Sequence, residues 1–312
     1  MAETVVEAQP AQRPASRPGL TPLDFALYAA VVLAWSFSWL AMRLQVGVVA
    51  PEVSVVWRFL IAAPIMMAFA VLRGESLWRR AADHLLFVAF GATMCSTNFT
   101  LFYYAAKHIT SGLSAVIFSL ASVINVVLAL AFFGVRPERR VAAGALLGVI
   151  GISCLFYPEI AATRLDGGVA LGLALGIGGT LSFCLGNMVS ARMQRRGIPV
   201  LAATGWGMAY GAGLLALLAA ARGLTFEIEP TAIYLGALVY LALFASVLAF
   251  ACYLTLLGRI GADRAAYATV LMPVMALLIS TFAENYRWSL PAFAGLAAVL
   301  AGNLLVLRTP RG

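Results

Sequence analysis

Charge is the scarcest ingredient of this chain. Only 11% of its 312 residues are charged, where soluble domains carry about 25%. Hydrophobic residues make up 62% and the mean hydropathy is +0.94. Water cannot solvate that much apolar surface, but a lipid bilayer can, so the chain reads as an all-α integral membrane protein with the bilayer as its first partner. The thirteen acids fall in tails, loops or near the ends of apolar runs, which leaves no midplane carboxylate as a proton relay. Exporters of cationic drugs of the small multidrug type rely on such a carboxylate and are disfavoured.

Other scarcities exclude other chemistries. There is one lysine, Lys107, and it follows Ala106, so no Gly-Lys-Ser/Thr phosphate loop exists and ATP-driven pumping is excluded. A serine protease needs a serine with a histidine on a neighbouring helix; "GLSA" at 112–115 offers the first only superficially, since the two histidines, His84 and His108, both stand at run ends. Asp24, Asp83, Asp166 and Asp263 border the runs, so neither serine nor aspartyl intramembrane proteolysis is expected. The four cysteines (Cys95, Cys154, Cys184 and Cys252) are isolated within apolar runs without metal-ligand spacing. No enzyme activity, metal or cofactor is expected. The formal charge of +8 is scattered rather than gathered into a patch, and nucleic acid is not an expected partner.

What is present is a series of apolar runs. A spanning helix needs about 20 apolar residues, and cutting at charges, prolines and glycines gives ten candidates. They lie at roughly 24–45, 51–73, 84–107, 110–134, 141–158, 167–191, 198–221, 232–257, 263–286 and 290–308. Residues 1–22, proline-rich and polar, read as a disordered tail with no signal-peptide h-region, and 309–312 as a short C-terminal tail. With the N-terminus inside, fifteen basic residues flank the cytoplasmic ends of the runs and five, including Arg43 and Arg222, the opposite ends. That bias predicts both termini in the cytoplasm and an even number of spans.

The chain also repeats itself. A shift of 151 residues lays "KHITSGLSAVIFSLASVINVVLALAFFGVRPERRVAAGALLGVIG" on "GRIGADRAAYATVLMPVMALLISTFAENYRWSLPAFAGLAAVLAG" without a gap. Ala115/Ala266, Val123/Val274, Gly144/Gly295 and Gly151/Gly302 coincide, as do the breaks in hydropathy. Two five-helix halves, 23–160 and 161–308, are expected. Because five is odd, they enter the membrane from opposite sides, an inverted repeat with its site at the midplane between the halves.

The stretches "LAWSFSWLAMRL" at 33–44, "PEVSVVWRFLIAA" at 51–63 and the later "PVMALL…AE" run resemble the EamA repeats of the drug/metabolite transporter superfamily. The resemblance covers residues 24 to 308. Among ten-span members it is nearest the bacterial amino-acid and metabolite exporters, those for aromatic amino acids included. It implies a multi-pass secondary transporter of a bacterial inner membrane that exports amino acids, aromatic and other neutral ones, by alternating access. The alternatives are export of another small metabolite or drug, or a channel-like or non-transporting membrane protein. A monomer suffices for the cavity, and the oligomeric state is left open.

In this family the late-repeat helix carries a proline at its middle and a glutamate at its end, which match Pro273 and Glu284. Pro273 cannot donate to the carbonyl of Thr269 and is expected to act as a hinge. Glu284 is expected to be a structural tie, to Arg287 or a loop amide. The first half has Ser122 and Phe133 at the equivalent positions, so if proline-assisted bending matters the two halves are not expected to move symmetrically. Arg58, deep in its run, could form an ion pair, bind a substrate carboxylate or bond to carbonyls; the EamA motif often has arginine there, which favours a structural role.

Polar groups within the runs are costly unless partnered and are the candidate site. Trp35 and Trp39 share a helix face, and Ser38 and Asn98 fall near midplane by count. With Tyr103, Asn187, Trp206 and Tyr253 they form the expected substrate-binding set: aromatic walls with a few amides and hydroxyls, suited to a neutral zwitterion. Interhelical hydrogen bonding is the competing reading of each.

Overall fold

The structure is a computed structural model and describes residues 20–134, 139–162, 167–260 and 267–307. Both expected tails lie outside them almost entirely, as does the loop that holds Asp166. The described residues form helices and no strands. A segment surrounded by hydrocarbon must satisfy its own amides, and only a helix does so within one run.

The helices are α1 (Pro22–Leu44), α2 (Pro51–Leu72), α3 (Ala81–Phe90), α4 (Asn98–Ala105), α5 (Ser111–Phe118), α6 (Ala121–Phe133), α7 (Arg139–Ala162), α8 (Gly167–Arg195), α9 (Val200–Ala221), α10 (Ala232–Val239), α11 (Ala249–Ile260), α12 (Tyr267–Ala283) and α13 (Leu290–Leu307). Among the described residues seven helical stretches are long and apolar enough to cross a membrane: those at 22–44, 51–72, 81–105, 111–132, 167–195, 200–221 and 232–253. Ala142–Leu155, Leu271–Ala283 and Leu290–Leu305 are shorter apolar helices. The outward side chains are those a bilayer would take up; Leu72, Phe282 and Leu290 are among the most exposed residues.

Local chemistry sets the ends. Thr21 and Asp24 cap α1 reciprocally: the Asp24 amide donates to Thr21 Oγ1 at 3.3 Å, and the Thr21 amide donates to Asp24 Oδ2 at 2.9 Å. Thr110 and Thr231 cap α5 and α10 one-sidedly, each hydroxyl accepting from the amide three residues on, that of Leu113 or Tyr234. Gly223, at φ +68°, turns the chain after α9 in the left-handed region where a side chain would be strained.

Two helical rods widen where the sequence shows no irregularity. Gly91–Thr97 between α3 and α4, and Tyr240–Leu248 between α10 and α11, are π-helical. The 151-residue shift carries 91–97 onto 242–248, so the two segments are equivalent in the repeat. Ser246 supports the second one directly, its hydroxyl donating to the Leu241 carbonyl five residues back at 2.8 Å.

The fourth rod breaks instead of widening. Between α5 and α6, the amides of Ser119 and Leu120 donate to the carbonyls of Val116 and Ile117, three residues back. Helix α12 runs without interruption through Pro273. The interruption thus lies in the stretch that lacks the proline, and the helix continues through the one that has it. The half without the proline carries the break, because a run of i−3 bonds at Ser119–Leu120 ends α5 before the position of Ser122 is reached.

The long helices pack through glycine. A Cβ on Gly151 would stand 2.6 Å from the Gly295 carbonyl oxygen, and one on Gly302 2.5 Å from that of Gly144, so α7 and α13 touch backbone to backbone. The pairing is crosswise. Gly144 and Gly295 are equivalent in the repeat, as are Gly151 and Gly302, and each glycine meets the counterpart of the other, as a two-fold relation between the helices requires.

Candidate functional site

A cavity of about 420 Å³ lies among α1, α2, α4, α6, α8, α9 and α11, with both π segments in its wall and single residues from α3, α5 and α12 completing it. That volume falls in the range of roughly 300–1,000 Å³ usual for small-molecule sites. The two π segments matter here because an i→i−5 turn shifts the phase of everything beyond it. Met94 and Cys95 within the first, and Ala245 and Ser246 within the second, face the cavity, and Asn98 and Phe250 come just after their ends.

Six of the eight residues expected to bind substrate line this cavity: Trp35, Ser38, Trp39, Asn98, Asn187 and Tyr253. The indole N–H of Trp35 donates to the Ala245 carbonyl at 3.3 Å, and its ring lies 5.3 Å from that of Tyr253 and 6.0 Å from that of Phe250. Ser38 commits its proton to the Trp35 carbonyl at 2.6 Å. Asn187 donates to Asn125 Oδ1 at 3.2 Å, joining α8 to α6. Trp39 packs edge-on against Phe102 at 4.8 Å and beside Phe118 at 5.4 Å. Two of the cavity's buried polar atoms, Trp39 Nε1 and Asn98 Oδ1, have no hydrogen-bond partner among the described residues.

Tyr103 and Trp206 do not line it. The Tyr103 hydroxyl donates to Gln45 Oε1 between α4 and the end of α1. Trp206 donates through Nε1 to the Leu77 carbonyl at 3.1 Å and packs on His84, whose Nδ1 lies 2.8 Å from the Tyr210 hydroxyl. Both are polar-tipped aromatics in apolar helices, as expected, but rotation about the helix axis turns them to other neighbours. The sequence reading missed the phenylalanines of the wall, among them Phe99, Phe118, Phe183 and Phe250. A phenylalanine in an apolar run carries no signal that separates a cavity wall from lipid contact. Asn125 and Ser246, visible as polar interruptions, line the cavity as well.

Arg58 also faces the cavity, 3% exposed, with Nε donating to Ser246 Oγ at 3.0 Å and the guanidinium carbon 4.3 Å above the centre of the Phe99 ring.

The end of the bundle that carries Arg43 is tied by two buried carboxylates. Glu284, at the end of α12, accepts from the Ser111 amide at 3.0 Å, from the Ser111 hydroxyl, and from Arg43 Nε at 2.8 Å. The guanidinium expected beside it was that of Arg287; in the structure Arg43 supplies it, and the amide is the first of α5, where a carboxylate also meets the positive end of a helix. Arg43 donates besides to the carbonyls of Ala106 and Ile109. Glu52, 1% exposed, pairs with Arg222 and accepts from the Tyr104 hydroxyl at 3.0 Å. At the opposite end Asp24 pairs with Arg259.

The EamA-like transporter family model matches this sequence twice, over residues 25–157 and 170–308. Among curated proteins the chain is similar to Protein PagO of Salmonella typhimurium, 24% identical over 90% of this chain and 91% of that protein. It is 26% identical to the "Uncharacterized inner membrane transporter YedA" of Escherichia coli K12, over 92% of this chain and 91% of that one. A "Probable amino-acid metabolite efflux pump" of Salmonella typhimurium is 24% identical over 89% and 93% of the two chains. A solved crystal structure superposes with a TM-score of 0.65 at 19% identity, covering 90% of this chain and 95% of the other, which shows a shared fold.

Proposed function

The chain belongs to the EamA-like transporter family, and from that premise we propose that it exports amino acids, aromatic and other neutral ones, from the bacterial cytoplasm by alternating access. As a member of that family it is a membrane transporter and not an enzyme. It lies in the inner membrane, in line with the name of the YedA relative. The seven long apolar helices and the three shorter ones serve as ten spans in two inverted halves, with both termini in the cytoplasm. The basic residues flanking the runs support the orientation, and the crosswise glycine contact of α7 with α13 supports the inversion.

The observation that carries the substrate class is the composition of the cavity. Its walls are aromatic rings drawn from both family-model matches, and its polar groups are amides, hydroxyls and one guanidinium, with no acid among the described residues that line it. Such a surface suits a molecule with an apolar body and a compact polar head. The relative named as an amino-acid metabolite efflux pump supports the same class. In this reading Trp35, Ser38, Trp39, Asn98, Asn187 and Tyr253 contact substrate, while Glu284 holds the Arg43 end together.

Counterflow tests it. Proteoliposomes loaded with unlabelled amino acid take up labelled phenylalanine, methionine or threonine without a proton gradient, and the Asn98→Ala variant loses the stimulation. Absence of counterflow across a wide amino-acid panel, in folded protein, removes the assignment.

A further inference from the structure

We propose that Arg58 is the anchor for a carboxylate on the transported molecule, so that the substrates are carboxylates with an apolar body; the proposal deepens the amino-acid reading and rests on the same cavity.

Arg58 sits seven residues into α2, about 10 Å along its axis, and lines the cavity at 3% exposure. Its guanidinium remains charged in any protein environment. Every buried acid described is engaged elsewhere: Glu52 with Arg222 and Tyr104, Glu284 with Arg43 and Ser111, and Asp24 with Arg259. Among the described residues no carboxylate lines the cavity. The charge therefore has no counter-ion among them, only the neutral Tyr103 hydroxyl beside it and the faces of Phe99 and Phe59, at 4.3 and 5.4 Å. Ring faces attract a cation but do not neutralise it.

The hydrogen bonds point the same way. Ser246 gives its proton to Leu241 and so accepts from Arg58 Nε, which fixes the plane of the guanidinium. Nη1 has no partner among the described residues, although it is buried. A fixed guanidinium plane with an unspent N–H and an uncompensated charge fits a carboxylate. The same cavity offers a second unspent donor, Trp39 Nε1, and an unspent acceptor, Asn98 Oδ1. A zwitterion would occupy all three, its carboxylate on Arg58 and Trp39 and its ammonium on Asn98. In this view the carrier binds best when the cargo brings the missing negative charge.

The test uses three probes with one apolar body: L-phenylalanine, L-phenylalaninamide and 3-phenylpropionate. Affinity is read from ligand-induced thermal stabilisation of the purified protein and from competition with labelled phenylalanine in counterflow. The wild type should bind the amide at least about tenfold more weakly than the amino acid. Arg58→Gln should reduce that ratio to about twofold or less. Because loss of a buried arginine could unfold the protein, a second variant keeps it: Ser246→Asp sets a carboxylate beside Arg58 Nε and should also erase the preference. Equal binding of phenylalanine and its amide by the wild type, or a preference that survives in either folded variant, overturns the anchor and leaves the amino-acid reading intact. Binding of 3-phenylpropionate that depends on Arg58, with no amino acid bound, keeps the anchor and removes that reading. No carboxylate bound at all overturns both.

Discussion

Single residues in this protein are sorted by where helix rotation points them. Trp35 and Trp206 are the same amino acid in similarly apolar helices, yet one faces the cavity and the other joins His84 and Tyr210. Trp35→Ala is therefore expected to lower counterflow about tenfold or more, the loss of roughly 1.4 kcal/mol of binding. Trp206→Phe should leave it within about twofold, and parallel uptake assays of the two variants check the contrast. The sequence made Trp35, Trp39 and Asn98 legible because polar or indole groups stand out in an apolar run. It could not separate Tyr103 from Tyr253, because the angle at which a helix presents its face is set by neighbours far along the chain. The role of Arg58 was open for a related reason: whether a deep charge is paired depends on where Glu52 and Glu284 go, and both are taken up at the Arg43 end.

At the scale of elements, apolar run length made the helices readable, while their interior irregularities were not. The π segments at Gly91–Thr97 and Tyr240–Leu248 leave no trace in hydropathy, since both lie in runs that are apolar on nearly every side, where a jump in phase changes no average. The break at Ser119–Leu120 is similarly silent, whereas Pro273, the conspicuous signal, sits in continuous helix. Each irregularity bears on the cavity, because it sets the phase of the turns beyond it. Deleting Ala245 should return Tyr240–Leu248 to α-helical register; the lost residue and the lost wide turn cancel beyond it, so Phe250 and Tyr253 keep their phase while Ser246 leaves its place between Leu241 and Arg58. The expected result is folded protein with counterflow reduced, because Arg58 loses the hydroxyl that orients it. Undiminished transport would mean that the extra residue has no part in shaping the site.

Over the whole molecule, the ionic ties and the glycine seam divide the labour of cohesion. Glu284 and Glu52 hold helix ends at one side, and α7 with α13 holds the halves along their length. Gly295→Leu would drive a side chain into the Gly151 carbonyl, 2.5 Å from even the first carbon, and should cost about 1–3 kcal/mol of stability. Gly148→Ala meets only Leu120 and Val123 side chains at 3.6 and 3.7 Å and should be nearly neutral. Thermal unfolding in detergent compares the two. Orientation belongs to this scale as well: reporter fusions at either terminus should both report a cytoplasmic location, and opposite locations would refute the even span count.

The seam between α7 and α13 has one more implication. A contact that reads the same from either side needs only one recipe, used twice, so this seam asks for glycine at equivalent places in both repeats. Away from it each half is at liberty to differ. Ser122 stands where the other half has Pro273, and Phe133 where it has Glu284. Symmetry at the seam is thus what permits asymmetry at the site, and a cavity built from two unlike walls can hold a molecule that has a charged end and an oily one.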